Sequence, residues 1–342
     1  MMKKSLQTII ICLVSVLFIF TFGASTAAAK TYRLKIQSGY PRGDLSMELL
    51  KVFSDSAKKR SNGQVIIKVF AAPEIVEGGS PALYEAVQRG TLDMGHLAGI
   101  FASGFAPIGD IEFGLPFAFE VKKGSTFKES VGGVRDFYYN SGLVDLIKQE
   151  YAKNDLHWLD MHSYGHLYVF SRTDIKDCSD IKKLKIASWG LQQVFHKKIA
   201  QAAVEISPEE MYMALKLGTV DAALYDISGI DGLHWDEVAP YWLKNLGGDM
   251  IFGHIVVGKK QWDKLPKDIQ GNINDAAKDY WDATVVEYDK MMKETNKKLK
   301  EVNLDDACAE SIRKAGRTTW DDAAKVDDAS AKAVELIRSW NK

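Results

Sequence analysis

The sequence has 342 residues, 44 basic and 45 acidic side chains, a net charge of −1 and 46% hydrophobic residues, the composition of an ordinary globular protein. That length suits one large or two ordinary domains with a full core. No basic tract, aromatic-interleaved Lys/Arg patch or zinc-type cysteine spacing occurs, which argues against nucleic acid as a partner.

Lys3 and Lys4 precede an apolar run over 9–22, and small residues then end in Ala27-Ala28-Ala29. This is the layout of a secretory signal peptide over 1–29: a charged start, an apolar stretch shorter than the roughly 20 residues of a spanning helix, and an Ala-x-Ala cleavage site. The mature chain is expected to start near Lys30, in the periplasm. Cleavage removes two lysines and no acid, so the charge of −1 becomes −3. Cys12 lies too far from the cleavage site to carry a lipid. Cys178 and Cys308 remain, and the sequence leaves open whether they pair.

Residues 32–38 alternate as a strand, after which Gly39, Pro41 and Gly43 turn the chain into a helix with Leu45, Leu49, Phe53 and Ala57 at four-residue spacing. A second strand follows at 65–70, and such a strand, helix and strand build a parallel sheet. Ser80-Pro81 opens a short helix that Gly90 closes, before a strand over 92–98. About 128 residues later the device recurs, with Ser207-Pro208, Gly218 and a strand over 220–225. Tyr84-x-Ala86-Val87-Gln88-x-Gly90-Thr91-Leu92-Asp93 matches Tyr212-x-Ala214-Leu215-Lys216-x-Gly218-Thr219-Val220-Asp221. Upstream, Leu34-Lys35-Ile36-Gln37-Ser38 pairs with Leu184-Lys185-Ile186-Ala187-Ser188.

A repeat of this length implies two α/β lobes of similar topology whose strands end at a shared crevice. The turns after Ile36, Met94, Ile186 and Leu224 are expected around one cleft. Beyond Trp262 and Pro266 a long helix over about 265–301 carries Ile269, Ile273, Ala276, Ala277, Tyr280, Trp281, Val286, Tyr288, Met291 and Met292 on its apolar stripe. At 1.5 Å per residue it spans about 50 Å, enough to bridge both lobes.

These residues resemble the DctP-type solute receptors of tripartite ATP-independent periplasmic (TRAP) transporters over essentially the whole mature chain. The resemblance rests on 84–93 with Met94-Gly95-His96, Leu115-Pro116-Phe117, 180–186, 212–221, and Trp262 with Leu265-Pro266. Met94-Gly95-His96 is similar to the branch that binds 2-oxo acids. The resemblance implies a two-lobed periplasmic-binding-protein fold of the α/β class, a hinge of crossing strands and a long helix across both lobes. The lobes are expected over 30–155 with 235–262, and over 156–234 with 263–342. It also implies a small-molecule ligand, an organic acid, delivered to the membrane permease subunits of a sodium-driven TRAP transporter.

Members of that family generally hold the substrate carboxylate with an arginine after the second Leu-Lys-Ile strand, in two parallel hydrogen bonds. Here Ala187 stands at that position, and Tyr168 aligns with a second common arginine. Three readings stay open: Arg42 or Arg172 reaches the cleft, a metal bridges the carboxylate, or the ligand is not a simple carboxylate. Glu74 and Asp226 are candidate ligands for calcium or sodium, although the metal-binding pair of the oxo-acid branch aligns with Leu224 and Tyr225. No other cofactor is expected. Tyr168, Trp189 and Tyr225, with Glu74 or Asp226, would instead form an aromatic cage for a cationic amine.

Ser38, Tyr40 and Ser188 offer hydrogen bonds at predicted strand ends. His96 serves either as a donor to an anion or keto oxygen or as a structural residue, and His162 and His166 lie four apart on a strand. Catalysis is not expected, because no Gly-x-Ser-x-Gly, His-Glu-x-x-His or phosphate-binding glycine loop is present. A periplasmic enzyme with a scattered site is the minor alternative.

Overall fold

A computed structural model describes residues 30–120, 124–243, 246 and 249–341, so the signal-peptide reading of 1–29 lies outside the described residues. Arg33–Lys342 pack as one compact unit. The first stretch contains β1 (Tyr32–Ser38), α1 (Leu45–Arg60), β2 (Val65–Phe70), α2 (Gly79–Arg89), β3 (Met94–Leu97), α3 (Ile108–Phe113), α4 (Phe127–Asn140) and α5 (Leu143–Ala152). The long strand β4 (Leu156–Ser171) follows, then α6 (Cys178–Ile181), β5 (Lys185–Ala187), α7 (Gly190–Ile199), β6 (Ala202–Val204), α8 (Met211–Leu217), β7 (Ala222–Asp226) and α9 (Ser228–Asp231). The chain ends with β8 (Tyr241–Leu243), β9 (Met250–Gly258), α10 (Lys259–Asp263), α11 (Lys267–Thr295), β10 (Lys300–Glu301), α12 (Asp306–Arg317), α13 (Thr319–Ala324) and α14 (Asp328–Trp340).

The strands run in the order β2-β1-β3-β9-β4-β7-β5-β6, with β4 common to two sheets. Its earlier residues pair antiparallel with β9, from Leu156 opposite Gly258 to His166 opposite Met250. Its last residues pair with β7, from Leu167 opposite Asp226 to Ser171 opposite Ala222. The register slips between Ser163 and His166, where Gly165 adopts φ +73°. A Cβ there would lie 2.9 Å from the Tyr288 ring, so glycine lets α11 cross the strand closely. β8 pairs with β4 on the edge opposite β7, so 241–243 join the second sheet, whereas the sequence reading grouped them with the first lobe.

The internal repeat is a repeat of backbone roles. Gly90 and Gly218 both close their helices in the left-handed conformation, at φ +75° and +76°. Asp93 Oδ2 accepts the Lys35 N–H at 2.8 Å, and Asp221 Oδ2 accepts the Lys185 N–H at the same distance. Each aspartate thus ties the end of a helix turn to the start of the neighbouring Leu-Lys-Ile strand. The helix starts differ from expectation: Gly78 rather than Ser80 precedes α2, and Ser207-Pro208 opens a 3-10 turn ahead of α8.

α11 covers 29 residues, about 44 Å, and ends at Thr295, short of the expected 301 because the chain tightens into a 3-10 turn and then strand β10. Val285 rather than Val286 faces inward, since Val286 is 51% exposed. Its earlier part reaches α1 and the first sheet, where the Tyr280 hydroxyl donates to Ser46 O at 2.8 Å and lies 2.9 Å from His96 Nε2 of β3. Its later part reaches the second, where Met292 accepts from the Tyr168 hydroxyl at 3.7 Å. The last helices touch both: Trp320 Nε1 donates to Pro116 O at 2.9 Å, while Lys198 of α7 pairs with Asp322 at 3.0 Å. Cys178 and Cys308 are joined by a disulfide that pins α12 to α6.

Candidate functional site

A cavity of about 350 Å³ lies where strands of the two sheets end, and only about 30 Å³ of it admits the centre of a water molecule. That room suits a solute of few heavy atoms. Tyr40 follows β1, Ala98 follows β3, Trp189 follows β5, and Tyr225 with Asp226 closes β7; all five line the cavity. Tyr164 and Leu167 of β4, Ile100, Phe101, Phe113, Pro208 and Ile251 complete the wall. Four strand ends therefore converge, as the carboxyl ends of α/β sheets do around ligands.

The aromatic walls brace one another. Tyr40 meets Tyr164 edge to face at 5.4 Å, and Trp189 meets Phe101 at 6.0 Å and Tyr225 at 6.5 Å. The Trp189 Nε1–H donates to Ile206 O at 3.1 Å, which fixes the indole plane. Ile100, Phe101 and Trp189 also line an outer hollow of about 960 Å³ whose other walls include Glu85 and Glu205. These three side chains are the wall common to the inner cavity and that hollow.

Among the described residues, Asp226 is the one carboxylate on the inner wall, and no Lys, Arg or His lines it. Asp226 is 5% exposed, and Oδ1 accepts the Ser228 N–H at 2.8 Å. Behind it, Asp44 caps α1: Oδ1 accepts from Ser46 Oγ at 2.5 Å and from Met47 N at 3.1 Å. Asp44 Oδ2 accepts from the Tyr225 hydroxyl at 2.9 Å and from Ser228 Oγ at 3.4 Å, linking the two sheets. Burial raises both carboxyls above their ordinary range, and the charge of Asp44 raises Asp226 further.

Of the residues singled out from the sequence, Tyr40, Trp189, Tyr225 and Asp226 meet at this cavity, and the others stand elsewhere. Glu74 is on the surface, in an exposed ion pair with Arg42 at 2.7 Å, so neither enters the cleft. Tyr168 alternates with Leu167 along β4 and faces Met292 and Trp242 instead. Ala187 and Ser188 are fully buried and are not among the walls. Arg172 lines a separate surface hollow with Tyr212 and Glu237.

His96 and Ser38 form a buried support beneath the site. His96 Nδ1 lies 2.9 Å from Ser38 Oγ, and Nε2 lies 3.0 Å from His162 Nε2 and 2.9 Å from the Tyr280 hydroxyl. Burial, then the neighbouring His254, lowers His96 to about 3, so the imidazole is neutral at ordinary pH. His166 stacks on Tyr168, away from His162, because the slip at Gly165 breaks their common face. Asp44 and Tyr164 escaped the sequence reading. Asp44 carried the signal of a helix cap, and Tyr164 showed only the pattern of a strand.

The family model for bacterial extracellular solute-binding proteins, family 7 (DctP), matches residues 37–327. The chain belongs to this family. A monocarboxylate 2-oxoacid-binding periplasmic protein of Nostoc sp. is 25% identical over 251 residues, 71% of this chain and 65% of that protein. A TRAP periplasmic solute-binding protein of Chromohalobacter salexigens, with bound (S)-2-amino-1-propanol, superposes with a TM-score of 0.80 at 18% identity, covering 91% of this chain and 96% of its own. One from Pseudoalteromonas atlantica, with sodium and pyruvate, gives 0.78 at 20%, covering 91% and 94%. Family 7 membership makes this chain a solute-binding protein of the DctP type with the two-lobed fold, β4 crossing from the first sheet, where it pairs with β9, into the second, and α11 lying along both. Among the described residues no helix is long and apolar enough to cross a membrane.

Proposed function

We infer that the protein is the periplasmic receptor of a TRAP-type transporter, which encloses a small solute between its lobes and presents the closed form to membrane permease subunits. The observation that carries this reading is the cavity walled by strand ends of both sheets. The lobe bearing β1–β3 and the lobe bearing β5–β7 would close about β4 and β9. No bond is made or broken in this cycle; the ligand shifts a population of open and closed states.

Relatives of this fold hold solutes of both signs, an amino alcohol in one and pyruvate with sodium in another. An organic acid is the family's lead, as with the 2-oxoacid-binding relative. In this cavity no arginine would meet its carboxylate, so a sodium or calcium ion at Asp226 would bridge the two. Among the described residues no three His, Cys, Asp or Glu side chains converge as a ready metal site. Ligand, water and tyrosine oxygens would complete the shell.

A thermal-shift screen of residues 30–342, refolded to strip any trapped solute, tests the receptor reading with carboxylates, sulfonates, amines and polyols, each with calcium, with sodium and with EDTA. A receptor is stabilised in proportion to the logarithm of ligand concentration over Kd. No shift with any class would overturn it.

A further inference from the structure

We propose that the solute is a small organic cation whose ammonium group docks on Asp226 inside the collar of Tyr40, Tyr164 and Tyr225; this rests on the receptor reading above. A bare carboxylate entering the cavity would meet a buried acid and no cation among the described walls. An ammonium group meets the opposite: a carboxyl with a second acid behind it, and ring faces that attract positive charge. The Tyr164 hydroxyl is buried on this wall beside that of Tyr40, and the oxygens of the pair can accept from a donor on the ligand. The outer hollow beyond Ile100, Phe101 and Trp189 is lined by Glu85, which pairs with Arg89 at 3.0 Å, and by Glu205, so a carboxylate also stands on the approach. The limited free room favours a primary amine or amino alcohol over a longer polyamine.

Binding is then an exchange. Burial and the charge of Asp44 favour the protonated carboxyl of Asp226, and an incoming ammonium favours the ionised one, so cation binding is coupled to proton release. The titratable groups that face Asp226 are Asp44, Tyr40, Tyr225 and Tyr288. None of them supplies a positive charge, so affinity for a cation should rise with pH, and affinity for an anion should fall.

The test is calorimetry on residues 30–342 between pH 6 and 8, in two buffers of different ionisation enthalpy. The probes are 2-amino-1-propanol, ethanolamine, the uncharged 1,2-propanediol, and pyruvate with sodium, with calcium or with EDTA. The proposal expects the amines to bind with proton release and up to about tenfold tighter per pH unit, and the diol to fail. Asp226→Asn should fold and lose about a hundredfold or more in affinity, as when a buried ion pair is broken. Tyr164→Phe, which leaves the charge in place, should lose about tenfold or less. Pyruvate binding without the amines overturns the cation and leaves the receptor standing. Binding of amine and diol alike, or amine affinity that falls with pH, also overturns it. Silence from every probe class in both this experiment and the screen overturns the receptor and the cation together.

Discussion

Asp110 sits in α3 with its side chain against the start of α7, where a Cβ on Gly190 would fall 2.2 Å from Oδ1. Burial, then the charge of Glu205, raises its pKa from the ordinary 3.8 to about 7, against the help of the Leu191 N–H. The folded protein therefore keeps a proton that the unfolded chain loses between those values. The resulting stability is fully present below pH 3.8 and is lost as pH rises through about 7. Asp249, raised to about 7 by burial, contributes with the same sign. Asp110→Asn keeps an acceptor for Leu191 and removes the charge. Its melting temperature should nearly equal the parent's below pH 3.8 and exceed it by an amount that grows from pH 5 to pH 8; the same difference at pH 5 and pH 8 would refute the assignment. At this scale the sequence revealed residues whose position follows from a strand end, such as Tyr40, Trp189 and Asp226. It did not reveal Glu74's removal from the cleft, which depends on Arg42 arriving from another turn to pair with it.

Among the elements, the crossing of β4 under α11 sets the tightest demand. Gly165 holds φ +73° with its missing Cβ 2.9 Å from the Tyr288 ring, so Gly165→Ala meets both backbone strain and a steric clash. We expect a loss of about 2 kcal/mol or more, seen as a lower urea midpoint with an unchanged slope. An unchanged midpoint would mean that α11 yields without resistance. The disulfide makes a separate demand, because it closes a sequence separation of 130 residues between α6 and α12. Cys308→Ser should cost about 2–5 kcal/mol. Scanning calorimetry with and without reductant checks this, and the variant should no longer respond to the reductant. Strand and helix identities were legible here because period-two and period-3.6 patterns act locally. The choice of Val285 over Val286 was not, since it depends on how α11 rotates over α1 and β4.

The whole molecule joins its two sheets through contacts that leave no room for side chains. Gly43, just before α1, and Gly232, just after α9, meet backbone to backbone: a Cβ on Gly232 would lie 1.9 Å from Gly43 O. The duplicated halves were readable from the repeat, because glycine caps and the Asp93 and Asp221 bonds recur within each half. Their contact was not, since it is made by two glycines lying far apart in the chain. Gly232 has φ −80°, a value that alanine adopts freely, so Gly232→Ala acts chiefly across the contact, with a lesser approach of 3.1 Å to Ser228 O in its own turn. If the contact belongs to the closed form alone, the variant should favour the open form. Its ligand affinity should fall about tenfold or more, while the melting temperature without ligand stays close to the parent's. Small-angle scattering should then show contraction on ligand addition in the parent, and the same contraction in the variant only at about tenfold higher ligand concentration. Unchanged affinity with unchanged contraction would mean that the backbones part before the solute is enclosed, and that closure is governed by Asp44, Tyr225 and the aromatic wall instead.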